Sequence, residues 1–174
     1  MKLKSSLVAA SLAAAALSAN AVPTVQADWT NHDPAEMAAW WIMTAGALPI
    51  DHVYKFSLAG TFDVLATGVS NDAPPVFDIN GGKVELFADN GDADYTNDAS
   101  KGFFSFDSLA ANKTFLSVTA GNYFYRVTGT VDGKNGGSYL LSSSITPVPE
   151  PETYALMLAG LAAVGFISRR RNKA

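Results

Sequence analysis

Asn122-Tyr123-Phe124-Tyr125-Arg126-Val127-Thr128-Gly129-Thr130-Val131, then Asp132-Gly133-Lys134-Asn135-Gly136-Gly137, then Ser138-Tyr139-Leu140-Leu141-Ser142 sets the fold class of this chain. The first ten positions are dense in aromatic and β-branched residues and alternate in the manner of a strand buried on one side. Six turn-forming residues interrupt the run, and a second short strand pattern resumes beyond them. On sequence the segment reads as a hairpin, two antiparallel strands joined by a glycine-rich turn.

The same period continues upstream. In His52-Val53-Tyr54-Lys55-Phe56-Ser57-Leu58, Tyr54, Phe56 and Leu58 share one face, and Thr61 to Thr67 reads as the next strand. Asn71-Asp72-Ala73-Pro74-Pro75 is a loop. Val76 to Ile79 and Lys83 to Phe87 flank Asn80-Gly81-Gly82, a strong signal for a second hairpin. Gly102 to Phe106 and Lys113 to Val118 add two more. Seven or eight short strands separated by polar turns predict a mainly β domain, an antiparallel, jelly-roll-like sandwich. Before them, Asp33-Pro34-Ala35-Glu36 has the form of a helix start, with a capping residue, proline in the first turn and a glutamate three positions on. A short helix from Pro34 to about Thr44 is expected, although Trp40, Trp41 and Met43 also fit a strand.

Composition narrows the chemistry. The 174 residues include ten Phe, six Tyr and three Trp, too many buried-type side chains for a disordered polymer. The absence of cysteine excludes disulfides, thiolate metal centres and a cysteine nucleophile. The net charge of −4 conceals an asymmetry, because residues 28–146 hold six basic and fourteen acidic side chains, a net −8. Such a surface repels phosphate backbones and excludes nucleic acid as a partner.

Both ends have the layout of targeting segments. Residues 1–27 read as a signal peptide: Lys2 and Lys4, an apolar stretch from Leu7 to Leu17, then two small-residue cleavage patterns, Ala19-Asn20-Ala21 and Val25-Gln26-Ala27. The second is favoured because the chain turns polar at Asp28, leaving 28–146 as the exported domain. Residues 147–174 differ. Thr153 to Ile167 is a run of 15 residues without a charge, ~22 Å as a helix, and is expected to form a transmembrane helix over 153–168. The basic end 169–173 follows, with Arg169, Arg170 and Arg171 as its stop on the cytoplasmic side. Ahead of the span stands Val148-Pro149-Glu150-Pro151, whose prolines oppose helix and favour an extended backbone.

A Pro-Glu-Pro motif, a short apolar run and a terminal arginine cluster, in that order, resemble the PEP-CTERM sorting signal of Gram-negative bacteria. The resemblance covers about the last 27 residues. It implies processing by an exosortase near the motif, an inner-membrane intermediate, and delivery to the cell surface or the extracellular medium. It further implies an exopolysaccharide or biofilm setting. The strand layout is also similar to the FxDxF subfamily of these proteins, whose naming motif aligns with Ile50-Asp51-His52-Val53-Tyr54, with Ile, His and Tyr replacing three of its expected residues. No enzymatic activity is attached to that subfamily.

Little else points to catalysis. The only histidines are His32 and His52, and no G-x-S-x-G elbow or H-x-x-x-H spacing accompanies them. Carboxylate pairs of the kind a glycosidase needs can be drawn anywhere among so many acids, so none is singled out. The densest cluster, Asp89-Asn90-Gly91-Asp92-Ala93-Asp94-Tyr95-Thr96-Asn97-Asp98, reads as a solvated, mobile loop or as a weak calcium site using Asp89, Asp92 and Asp94. No cofactor is otherwise expected. The sequence thus predicts a non-enzymatic exported surface or matrix protein. Its rivals are a calcium- or carbohydrate-binding module, with Trp40 and Trp41 stacking on sugars, and a secreted glycan-active enzyme.

Overall fold

Tyr123, Tyr125 and Val127 bury one face of a strand while Phe124 and Arg126 occupy the other, and that strand, Gly121–Val131, is the middle of a five-stranded sheet. The computed structural model describes residues 23–149 and 151–171. Nine strands run in order: β1 (Thr24–Asn31), β2 (Ala35–Ile42), β3 (Leu48–Leu58), β4 (Phe62–Ser70), β5 (Ile79–Ala88), β6 (Ala99–Ser105), β7 (Ala111–Val118), β8 (Gly121–Val131) and β9 (Gly137–Pro147). A helix, α1 (Pro151–Arg171), follows them.

One sheet has the order β1-β3-β8-β5-β6 and the other β2-β9-β4-β7. Successive strands alternate between the two sheets except β5 and β6, which pair with each other, a winding like that of a jelly roll with β1 added at an edge. Every pairing is antiparallel except that of β1 on β3. The sandwich expected from the alternation is present. Its core is rich in aromatic rings, with Tyr54, Phe56, Tyr123 and Tyr125 facing Val64, Ala66, Phe115, Tyr139 and Leu141.

Several elements differ from their sequence reading. The expected helix over 34–44 is strand β2, in register with β9 from Ala35↔Ser144 to Ile42↔Gly137. The local capping bond does form, Asp33 N donating to Glu36 Oε1 at 3.2 Å, but no helix grows from it. Alternate residues of β2 are half-buried, and burial of that face outweighs weak helix propensity. Asn80-Gly81-Gly82 is not a turn. It is an irregularity inside β5, where the register to β8 shifts between Asn80 and Lys83 and Gly81 takes a positive φ of 66°.

The opening segment also pairs differently. Its two strands exist, but β8 lies in one sheet and β9 in the other, so Asp132 to Gly136 is a crossover and not a hairpin turn. Each strand is central and takes its partners elsewhere, β8 from β3 and β5, β9 from β2 and β4. The crossover is pinned by Lys134 N to Pro75 O (2.9 Å) and Asn135 N to Val76 O (2.8 Å). Gly136, at φ 95°, lies so close to the Ile42 carbonyl that no Cβ fits.

β1 starts at Thr24, so the sandwich begins before Asp28 and the expected boundary at residue 27 falls inside a strand. The rest of the signal segment, 1–22, lies outside the described residues, as does Glu150. The expected transmembrane helix over 153–168 is not supported. Residues 151–171 are helical, but no helix among the described residues is long and apolar enough to cross a membrane. The uncharged run is short, and its glycines and alanines dilute its hydropathy.

Candidate functional site

The tail leaves the sandwich without a linker. Pro147 closes β9 opposite Phe62, and the next residue, Val148, donates its amide to the Thr61 carbonyl at 3.1 Å. Pro149 is exposed, and Pro151 is the first residue of α1, a position where its missing amide costs nothing. The extended part of the motif is therefore shorter than the prolines suggested. Along α1 every residue from Glu152 to Arg169 is exposed, so the helix presents its apolar side chains on all sides. Glu152 in the first turn and the exposed Arg169 near the other end complement the helix dipole. Thr61, which ties Val148 to the β3–β4 turn, gave no signal in the sequence.

The acidic loop is organised by its own amides. Asp89 Oδ1 accepts from Gly91 N at 2.7 Å, and its other oxygen pairs with Lys55 at 3.4 Å. Asp92 accepts from Asp94 N (2.8 Å), Asn97 Nδ2 (2.8 Å) and Asn90 Nδ2 (3.1 Å). The Asn97 amide, then the Asp94 backbone, hold its carboxyl below the usual range. Asp94 accepts from Thr96 N at 3.1 Å. These are consecutive Asx turns. The structure does not bring Asp89, Asp92 and Asp94 together, and among the described residues no group of three metal-ligating side chains could hold an ion.

This loop covers the outer face of the five-stranded sheet. Tyr95 packs edge-on against Phe124, which stacks on Phe87 at 5.1 Å. Arg126 grips Asp51 with two bonds of 2.7 and 2.6 Å and donates to the Tyr95 carbonyl at 3.2 Å. Its guanidinium pKa is raised by the Asp51 hydrogen bonds, with burial opposing.

Both histidines are tied into bonds between the sheets. His52 Nδ1 meets the Tyr139 hydroxyl at 2.7 Å, and Tyr54 meets the same hydroxyl at 2.6 Å. His32 Nε2 meets Ser143 Oγ at 2.7 Å, and Tyr125 reaches that oxygen at 2.8 Å. Burial raises the pKa of Tyr139 and of Tyr125 far above the ordinary phenol. Ser143 is 2% exposed, so this serine and histidine face no substrate.

The tandem tryptophans part company. Trp40 turns inward, stacked on Tyr139 at 5.6 Å and edge-on to His52 at 4.7 Å. Trp41 turns outward and is 68% exposed. It borders a shallow depression of 510 Å³ on the outer face of the four-stranded sheet, shared with Ala39, Val69, Asn71, Ser138 and Leu140. Period-two alternation is the signal that separates the two indoles, and the pairing of β2 with β9 and of Asn71 with Ser138 sets the neighbours of the second.

Comparison with known proteins adds one assignment. Among solved structures, the pre-peptidase C-terminal domain of a collagenase from Bacillus anthracis is 14% identical, covers 71% of this chain and 94% of that one, and superposes with a TM-score of 0.43. PliG of Aeromonas hydrophila, a periplasmic inhibitor of g-type lysozyme, is 13% identical over 71% of this chain and 99% of that one, with a TM-score of 0.36. Likeness this distant transfers no activity. No curated protein matches the chain. Residues 147–171, however, match the family described as the PEP-CTERM protein-sorting motif; the match reaches no residue of Ile50-Asp51-His52-Val53-Tyr54 and so leaves the FxDxF subfamily unsupported. Motif, exposed helix and basic cluster coincide with that match, and the chain carries a PEP-CTERM protein-sorting motif at residues 147–171.

Proposed function

We propose that this chain is a non-enzymatic protein exported to the cell surface or extracellular matrix, where its β-sandwich is associated with exopolysaccharide. An exosortase processes it at the C-terminal motif after a membrane-associated intermediate. The observation that carries the reading is the sorting motif at 147–171, placed directly after the last strand. Val148 and Pro149, between the end of β9 and the start of α1, belong to neither strand nor helix, which suits access by a protease. Support for a non-catalytic domain comes from its polar groups. The two histidines, Ser143 and the loop aspartates are all engaged in bonds that hold the fold.

The test changes Pro149, Glu150 and Pro151 to Ala in the native host. Export through the N-terminal segment should continue, while uncut protein accumulates in the membrane fraction in place of the surface. Wild-type processing and surface display of the triple variant would refute exosortase sorting through this motif.

A further inference from the structure

We propose that the outer face of the four-stranded sheet binds a neutral polysaccharide chain, with the indole of Trp41 as its stacking platform. β2 is an edge strand whose alternation drives Trp40 into the core and leaves Trp41 in solvent. Among the described residues no aromatic ring stacks on Trp41, and its side chain makes no hydrogen bond. Trp41 is not isolated, because Ala39, Val69 and Leu140 line the same depression, and an indole in a contiguous exposed apolar patch is a frequent anchor of recognition.

The neighbours define the ligand class. Trp41 pairs with Ser138 of β9, and Asn71, at the end of β4, donates its amide to the Ser138 carbonyl at 2.9 Å, so the three form one cross-strand row. Ala39, Leu140 and Val69 form the next. An aromatic plane beside a hydroxyl and an amide fits a pyranose, whose C–H face stacks on the ring while its rim hydroxyls exchange hydrogen bonds. Trp41 and Asn71 stand two strand spacings apart, about 10 Å, which suits linked sugars better than one. The depression is shallow and open, the shape for a chain crossing a surface and not for an enclosed small metabolite.

Charge sets the sign. Neither row carries a charge, although residues 28–146 hold net −8. Uronate or phosphate-bearing polymers would meet repulsion and no cation on this face. On the opposite sheet, Tyr95 and the acidic loop cover the outer face at Phe124 and Arg126. This site rests on the proposed function only in that an exported chain meets polysaccharide. Its test uses purified protein, so failure here leaves sorting untouched.

The purified full chain is titrated with oligosaccharides of glucan, xylan, mannan and galactan and with polygalacturonate, following tryptophan fluorescence and retention on the insoluble polymers. Binding to at least one neutral series is expected, strengthening with chain length. Trp41→Ala should weaken it roughly tenfold or more, Asn71→Ala by a smaller factor, and Met37→Ala, exposed elsewhere on the same strand, not at all. Circular dichroism of each variant checks the fold. The proposal is overturned if no neutral polymer binds, if polygalacturonate is preferred, or if Trp41→Ala binds like wild type. It is equally overturned if Trp41→Ala acts only by dissociating a dimer in sedimentation, which would assign the face to a second copy.

Discussion

Tyr139 and Ser143 lie two turns of the pleat apart on β9, each reaching across the sandwich to a tyrosine and a histidine, with the fully buried Leu141 between them. Polar atoms in a core stabilise it only when all are paired. Ser143→Ala would strand His32 Nε2 and the Tyr125 hydroxyl at once, and about 2–3 kcal/mol should be lost in urea unfolding. Ser70 gives the contrast, since its buried Oγ has no hydrogen-bond partner among the described residues. Ser70→Ala should be neutral or stabilising by up to about 1 kcal/mol, and a loss as large as that of Ser143→Ala would contradict this account. His52 adds a pH dependence. Burial lowers its pKa from 6.5, with Asp51 opposing, so the folded chain takes up this proton less readily than the unfolded one. Its contribution is complete above about pH 6.5 and declines as the pH falls below that value. Measured at pH 7.5 and 5.5, His52→Asn should show a smaller drop in stability than wild type; an equal drop would assign the dependence to other groups.

Strand existence was legible along most of the chain because alternation reports burial directly. Partnership was not, because a strand's face pattern is the same whichever sheet it joins. Hence β8 and β9 were found but read as paired, and Gly81, with its positive φ, was read as a turn when it serves a bulge in β5. β2 was misread because Ala, Glu and Met favour helices locally, whereas Trp40 and Ala38 contribute more by packing on the core. β1 was missed because it was folded into the signal segment. That strand bears on the expected processing site: Thr24, Val25 and Ala27 pair with His52, Val53 and Tyr54, so cleavage after Ala27 would remove half of an edge strand. Cleavage after Ala21 leaves it whole. N-terminal sequencing of exported protein should therefore begin at Val22, and a sole start at Asp28 would show that these pairings are dispensable.

The molecule divides into a sandwich that closes on itself and a helix whose described side chains are all exposed. All core side chains lie between Ala27 and Ile145, while every residue from Glu152 to Arg169 is exposed. The sorting tail was legible because its information is linear, a motif, an apolar run and a basic end read in order. The saccharide face was half legible, since two tryptophans were evident, but the helix reading of β2 hid their opposite directions and the neighbours of Trp41 required the register of β2 on β9. If tail and domain are separate in energy as they are in space, removing the tail should cost export fidelity and not stability. A chain ending at Pro149 keeps the Val148 bond to Thr61 and the whole of β9. Its melting temperature should stay within about 2 °C of the full chain, well under the 4–8 °C that each kcal/mol is worth in a domain this size. A chain ending at Ser144 would instead lose the β9 residues paired with Phe62, Asp63 and Val64 and should melt several degrees lower. Equal melting of the two truncations would place the end of the folded domain before β9 finishes, and an exosortase cut anywhere beyond Ser144 would then leave the sandwich intact.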